Sequence, residues 1–408
     1  MTIIKTTSLF LFLTLIGCSE QAADTTKLEN SQALSINNIK QHIKTLASDE
    51  FEGRGPLTAG EVKTIGYLTK QYQAFGLSGA YNDKYLQPVK MAKVTADQNM
   101  QLTIGELTFS AGKDFTARTE QLQSVIDVRN SDVVYVGYGI NAPEYNWNDY
   151  KNLDVTGKTV VVLVNDPGFA TQDDSLFTGN AMTYYGRWTY KYEEAARQGA
   201  AAVLIVHETA PAAYPWSVVE SSNTGTKYTL IDDTNNTSKL PVMGWLHLEA
   251  TERLFNAANL NYQQLKQQAL NADFKALPLN VKANLAFKNE VSHAKSHNVV
   301  AQLTGSELPD EYVVISAHWD HFGTKQTDSG PKIYNGTVDN ASGTAATLEI
   351  ARVMSKIHQQ TPFKRSIIFA NFTAEETGLI GSEEFASGAV IPTTVSYTHL
   401  TLPTTERV

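Results

Sequence analysis

Apolar residues recur at helical spacing twice before residue 80. Ile36, Ile39, Ile43 and Leu46 mark one helix. Ile65, Leu68 and Tyr72 mark a second, starting near Gly60 and closing at Phe75-Gly76, where Gly76 suits a C-cap. The Gly-rich turn Phe51-Glu52-Gly53-Arg54-Gly55-Pro56 separates them. Residues 84–127 alternate apolar and polar in short runs, which predicts strands. From 130 to 290 the compact runs VVYVG (133–137), TVVVLV (159–164), AAVLIV (201–206) and Leu240–Met243 interleave with helical patterns at 190–198 and 248–257. Strand, helix and strand in that order predict a small α/β unit. After 297, strands are predicted at 298–303, 312–317 and 365–372. A helix is predicted over 342–357, with Leu348, Ala351 and Met354 on one face, and another near Gly381. This alternation predicts a parallel or mixed sheet covered by helices.

The two ends follow a different pattern. Lys5 precedes the apolar run Ser8–Ile16, which falls short of the ~20 residues a bilayer span needs. Leu15-Ile16-Gly17-Cys18 then resembles a bacterial lipobox, with small Gly17 before the cysteine. That resemblance implies a cleaved signal over 1–17, a lipid attached at Cys18, a polar tether over 18–34 and a membrane partner. The place implied is the bacterial cell envelope, with outer-membrane sorting favoured because Ser19 stands where an Asp would retain the protein. Residues 395–405, VSYTHLTLPTT, resemble the translation of a synthetic sequencing adapter. The natural sequence is therefore expected to leave this one near Thr394, with 395–408 a non-native tail.

Composition narrows the chemistry. The chain is 42% hydrophobic and 18% charged, which describes a globular protein. A net charge of -9 offers no basic excess for phosphates and argues against nucleic-acid binding. The single cysteine excludes an intrachain disulfide and a thiolate cluster, so a metal site must use His, Asp and Glu.

Such residues gather in three loops. His318-Trp319-Asp320 follows a predicted strand. Val338-Asp339-Asn340-Ala341-Ser342-Gly343 precedes the long helix. Thr373-Ala374-Glu375-Glu376-Thr377-Gly378 follows another strand. Ligands of open α/β sheets bind beyond the carboxyl ends of strands, so the three loops can converge there. Imidazole and carboxylate are zinc ligands, and two adjacent glutamates can serve one as ligand and one as general base. Asp320 is placed to orient the His318 imidazole. Each piece alone has a plainer reading: a structural histidine, a helix N-cap, two solvated glutamates.

Together, AHWDHFG, NGTVDNASGTAATLEIAR and FTAEETGLIGSEEFA resemble the metal motifs of the co-catalytic di-zinc aminopeptidases, a family related to glutamate carboxypeptidase and the transferrin receptor. LASDEFEGRGPLTAGE and the helix after it match as well, and 130–290 resembles the family's inserted protease-associated domain. The resemblance implies a three-layer fold with a mixed β-sheet sandwiched by helices. The peptidase domain is then split into 35–129 and 291–394 around the insert at 130–290. It implies Zn2+ as cofactor, two ions per complete site, and peptides as substrates. His318 binds one zinc, Asp339 bridges both and Glu376 binds the other. Glu375 is the general base, Asp320 holds His318, and the Asp339-Asn340 peptide bond is cis.

His321 is set aside by continuing the strand pattern, which points it away from His318. His399 is set aside because it follows Glu376 too closely and lies in the suspect tail. The family's further carboxylate and distal histidine are missing, so the 408-residue form is expected to bind metal weakly and to be inactive. Competing readings are a carboxypeptidase or dipeptidase, a glutaminyl cyclase, and a non-catalytic receptor-like protein. The last is disfavoured because the ligand residues are kept.

Overall fold

The computed structural model describes residues 33–392. The signal-like segment 1–17, Cys18, most of the tether, the tail from 395 and His399 lie outside the described residues. No helix among the described residues is long and apolar enough to cross a membrane.

The chain begins with α1 (Ile36–Leu46), capped by the Ser35 side chain, and α2 (Ala59–Ala74), capped by Thr58. Strands β1 (Leu86–Ala96), β2 (Gln101–Ile104), β3 (Leu107–Ser110), β4 (Phe115–Arg118) and β5 (Val125–Tyr135) follow. Next come β6 (Thr159–Leu163), α3 (Trp188–Arg197), β7 (Ala202–His207), β8 (Thr226–Leu230), β9 (Val242–His247) and α4 (Leu248–Ala257). The last part holds β10 (Leu277–Leu303), β11 (Leu308–His318) and the hairpin β12 (Gly323–Thr327) and β13 (Gly330–Tyr334). It ends with α5 (Gly343–Gln360), β14 (Arg365–Phe372) and α6 (Ile380–Glu384).

These strands make two sheets joined by β10. The first has the order β8-β1-β10-β14-β11. It is mixed: β11 runs parallel to β14, and the other pairs are antiparallel. Leu68 and Tyr72 of α2 and Leu348 and Ala351 of α5 pack on one face, against Val299, Ala301, Ile367 and Phe369. Val300, Ile368 and Ala370 face the other way, toward Phe385 and Ile391, so helical chain covers both faces. The second sheet has the order β10-β5-β6-β7-β9-β4, with β5, β6, β7 and β9 parallel. Its inner strands β6 and β7 are wholly buried, as continuous apolar runs between two covered faces should be. The α/β class and the mixed, helix-covered sheet are as the sequence implies.

Strand pairing crosses the expected boundaries. Strands β2 to β4, at 101–118, belong to the second sheet. Strand β8, inside the expected insert, pairs with β1 of the first sheet. The cut at 290 falls within β10, whose residues 277–288 pair with β5 and 289–299 with β1. Alternation reveals that a segment is a strand; it does not reveal the partner.

Candidate metal centre

The site lies on the carboxyl edge of β11 and β14, which run side by side with His318 in register with Phe372. His318 ends β11, the Glu375-Glu376 loop leaves β14, and Asp339 sits in the turn entering α5. The Asp339-Asn340 peptide is cis, as the resemblance implies. The Asn340 side-chain oxygen accepts from Gly343 N at 2.9 Å, and the Thr344 hydroxyl donates to the carbonyl of His318 at 2.8 Å, which ties α5 to the end of β11.

Single ligand atoms of His318, Asp339 and Glu376 lie within 4.8 Å of one another. His318 Nε2 is 3.0 Å from Asp339 Oδ1 and 3.8 Å from Glu375 Oε2. Its Nδ1 faces Asp320, 3.2 Å from the backbone oxygen and 3.6 Å from the carboxylate. The imidazole therefore presents Nε2 to the cluster, while Nδ1 is held from behind. One imidazole and two carboxylates this close suit zinc by chemistry and by spacing.

Asp320 does more than face the imidazole. It is fully buried, and its two carboxylate oxygens accept from the backbone of Glu375 (3.1 Å) and Glu376 (3.4 Å). The residue expected to hold His318 thus also holds the paired glutamates. Burial raises its pKa, opposed by the His318 imidazole. Burial alone would lower His318, but Asp320, Glu375 and Asp339 outweigh it and bring the imidazole up to about 9. Glu375 is raised by burial first, with Glu376, Asp320 and Asp339 adding to it against His318.

Two residues were missed. His321, expected to point away, has Nδ1 2.5 Å from Glu376 Oε1. The strand stops at His318, so its alternation does not extend three residues further. Arg54 is wholly buried beneath the loops. Its guanidinium donates to the carbonyls of Trp319 (2.9 Å), Leu46 (2.7 Å), Asn335 (2.6 Å) and Gly336 (2.8 Å). Burial lowers it to about 10, while Asp320, Asp339 and Glu376 pull the other way. Its place in the GRG turn was the available signal. His42 and His297 pair with Tyr67 (2.6 Å) and Glu61 (3.3 Å) away from this cluster.

An α/β protein with a carboxylate and imidazole cluster at the carboxyl edge of its sheet has the build of a metallohydrolase. Residues 298–400, the segment carrying the cluster, match the family described as Peptidase family M28. Mouse "Aminopeptidase NAALADL1" is 31% identical over 167 residues, 38% of this chain and 21% of that protein. The Caenorhabditis elegans "Glutamate carboxypeptidase 2 homolog" is 36% identical over 106 residues, covering 26% and 12%. Chicken "Transferrin receptor protein 1" is 34% identical over 110 residues, covering 26% and 13%. The matches thus span about a fifth or less of these relatives. Among solved structures, an aminopeptidase from Aneurinibacillus sp. strain AM-1 is 24% identical with a TM-score of 0.44, over 88% of this chain and 67% of that one. The zinc aminopeptidase BSAP from Bacillus subtilis is 17% identical with a TM-score of 0.35, over 87% and 65%.

Proposed function

We propose that this chain carries the catalytic centre of a zinc-dependent exopeptidase, an aminopeptidase that removes N-terminal residues from peptides. The observation that carries the proposal is the meeting of His318, Asp339 and Glu376 within 4.8 Å, with Glu375 at their side. His318 and Glu376 would each hold one of two zinc ions, with Asp339 between them. Bound zinc supplies a Lewis acid for the scissile carbonyl and lowers the pKa of water toward neutrality.

The chain's own residues do the rest. Glu375 is partly open to solvent, with its side chain 31% exposed, and its ion-pair contact among the described residues is the long one of 3.8 Å to His318 Nε2. Its carboxylate takes a proton from the attacking water and passes it to the leaving amine. The upward shift from burial moves it toward the operating pH, which favours both halves of that transfer. Asp320 fixes the backbone of both glutamates and faces His318, so one buried carboxylate aligns base and ligands.

The relatives' printed names support peptide hydrolysis and divide over which end is attacked. The test uses the natural gene product with zinc and short peptides blocked at either end. Cleavage that requires a free amino end supports the proposal. Cleavage that requires a free carboxyl end makes the protein a carboxypeptidase, and no cleavage of any peptide rejects the peptidase reading.

A further inference from the structure

The second sheet has a carboxyl edge of its own, and a cavity of about 350 Å³ opens there. The neighbouring strands β5, β6 and β7 run parallel. Tyr138 follows β5, Asp166 follows β6 and Glu208 follows β7, and all three line the cavity. Leu163 and Val206, in register near the ends of β6 and β7, line it as well. In sheets with parallel strands, ligands bind beyond the carboxyl ends. The volume falls at the small end of ligand pockets, which run from about 300 Å³ upward. None of the lining residues belongs to the three loops of the metal centre.

The charged groups around this cavity are unequally served. Glu208 accepts from the Tyr262 hydroxyl at 2.6 Å and from Lys266 Nζ at 2.5 Å, one on each oxygen. Asp166 is wholly buried. Its Oδ2 accepts from the backbone nitrogen of Thr183 at 3.0 Å and from the Thr183 hydroxyl at 2.7 Å. Its Oδ1 has no hydrogen-bond partner among the described residues. The buried Lys191 gives its hydrogen bonds to the carbonyls of Tyr138 and Tyr185, not to Asp166. The turn carrying Asp166 is pinned in place: the Asn165 side chain accepts from Asp166 N at 2.8 Å and donates to the carbonyl of Pro211 at 2.8 Å. An ionised carboxylate can only accept, and a buried acceptor left unpaired is costly. The occupant that suits this cavity therefore brings a donor.

The rest of the lining selects the kind of donor. With Glu208 and Lys266 paired, Asp166 is the charge left over, which favours a cation. A bound metal ion needs several ligand atoms at once. Among the described residues, the group of metal-capable side chains close enough to supply them is His318, Asp339 and Glu376. Leu163, Val206, Phe169 and Pro211 make the cavity apolar beside Asp166. We propose that this cavity is a binding site for a small apolar amine, which sets its ammonium on Asp166 Oδ1 and its aliphatic part on those four residues. The α-ammonium of an apolar amino acid, free or at the amino end of a short peptide, has that chemistry. The site stands on the geometry of the second sheet and does not depend on the peptidase reading.

Backbone hydrogen exchange over 164–172 and 206–212 in the natural gene product tests the site, with calorimetry for affinity. Isoamylamine should slow exchange in both segments and bind about tenfold or more tighter than isoamyl alcohol, the scale of a charge-assisted contact. Asp166→Asn, which puts a donor where the free acceptor stood, should remove that preference. Ala170→Trp, at an exposed position on the lining, should block the cavity without touching the core. Leucine and the peptide Leu-Gly-Gly, compared in Glu375→Gln, separate the two sources: protection by one identifies it, and protection by both admits both. The site is overturned by equal binding of amine and alcohol, by protection from neither leucine nor the peptide, or by binding unmoved in both Asp166→Asn and Ala170→Trp.

Discussion

Arg54 reaches Trp319, 265 residues away in sequence, and Gly336, 282 residues away, so it ties the His318 loop to the loop before Asp339. Of its four acceptors, the Gly336 carbonyl also accepts from Ala341 N at 3.0 Å, whereas the carbonyls of Leu46, Trp319 and Asn335 depend on the guanidinium. Arg54→Met would leave those three without it, where each lost partner costs about 1–3 kcal/mol. The expected loss of stability is roughly 3 kcal/mol or more, read from the urea midpoint, with Arg54→Lys recovering part of it. A midpoint unchanged in Arg54→Met would contradict that role. His321 acts on a smaller scale, through one oxygen of Glu376. His321→Ala should weaken zinc binding by about 10–100-fold in a chelator competition while the chain stays folded. Equal affinity would mean that the contact positions nothing. His318, Asp339, Glu375 and Glu376 were legible because metal-ligating types stood at predicted strand ends and a helix start. Arg54 and His321 were not, because one acts only across distant loops and the other depends on where a strand stops.

At the scale of elements, the turn before α2 meets the β12–β13 hairpin with no room to spare. Gly53 has φ +66°, and a Cβ there would stand 2.5 Å from the carbonyl oxygens of both Gly323 and Tyr334. Gly53→Ala should therefore displace the hairpin that joins the His318 loop to the Asp339 turn, and raise amide exchange across 323–334. Unchanged protection would mean that the turn adapts without moving the hairpin. Beside the second sheet, Lys191 of α3 is wholly buried and donates to the carbonyls of Tyr138 and Tyr185, each at 2.7 Å. Burial drives its ammonium from 10.5 down to about 7, against the pull of Asp149 and Asp166. The unfolded chain then binds more protons than the folded one between pH 7 and 10.5, so this group makes stability rise with pH across that window. The gain should approach about 1.4 kcal/mol per pH unit in urea unfolding at pH 7 and 9, and should vanish in Lys191→Met. The same slope in both proteins would remove Lys191 as its source. The elements themselves were largely readable: β14 and α4 fall where the pattern puts them. Their assignment to sheets was not, since β8 and β2 carry the same alternation and join different sheets.

For the whole molecule, β10 is the continuous link. Its first half belongs to the second sheet and its second half to the first. Lys239, which pairs with Glu120, reaches Thr229 of β8, and β8 packs in one apolar cluster with Ala374 at the base of the Glu375 loop. Anchoring through Cys18 is a proposal on the same scale, and labelling with palmitate would test it: no label, or label surviving Cys18→Ser, would reject it. The central claim is that His318, Asp339 and Glu376 hold zinc while Glu375 moves the proton. It is tested most directly by zinc content and peptide turnover of Glu375→Gln beside the unaltered natural gene product. The expected result is zinc retained in both, with turnover reduced about 10²–10⁴-fold in the variant. Turnover within a few-fold of the unaltered protein, or no zinc in either, would contradict it.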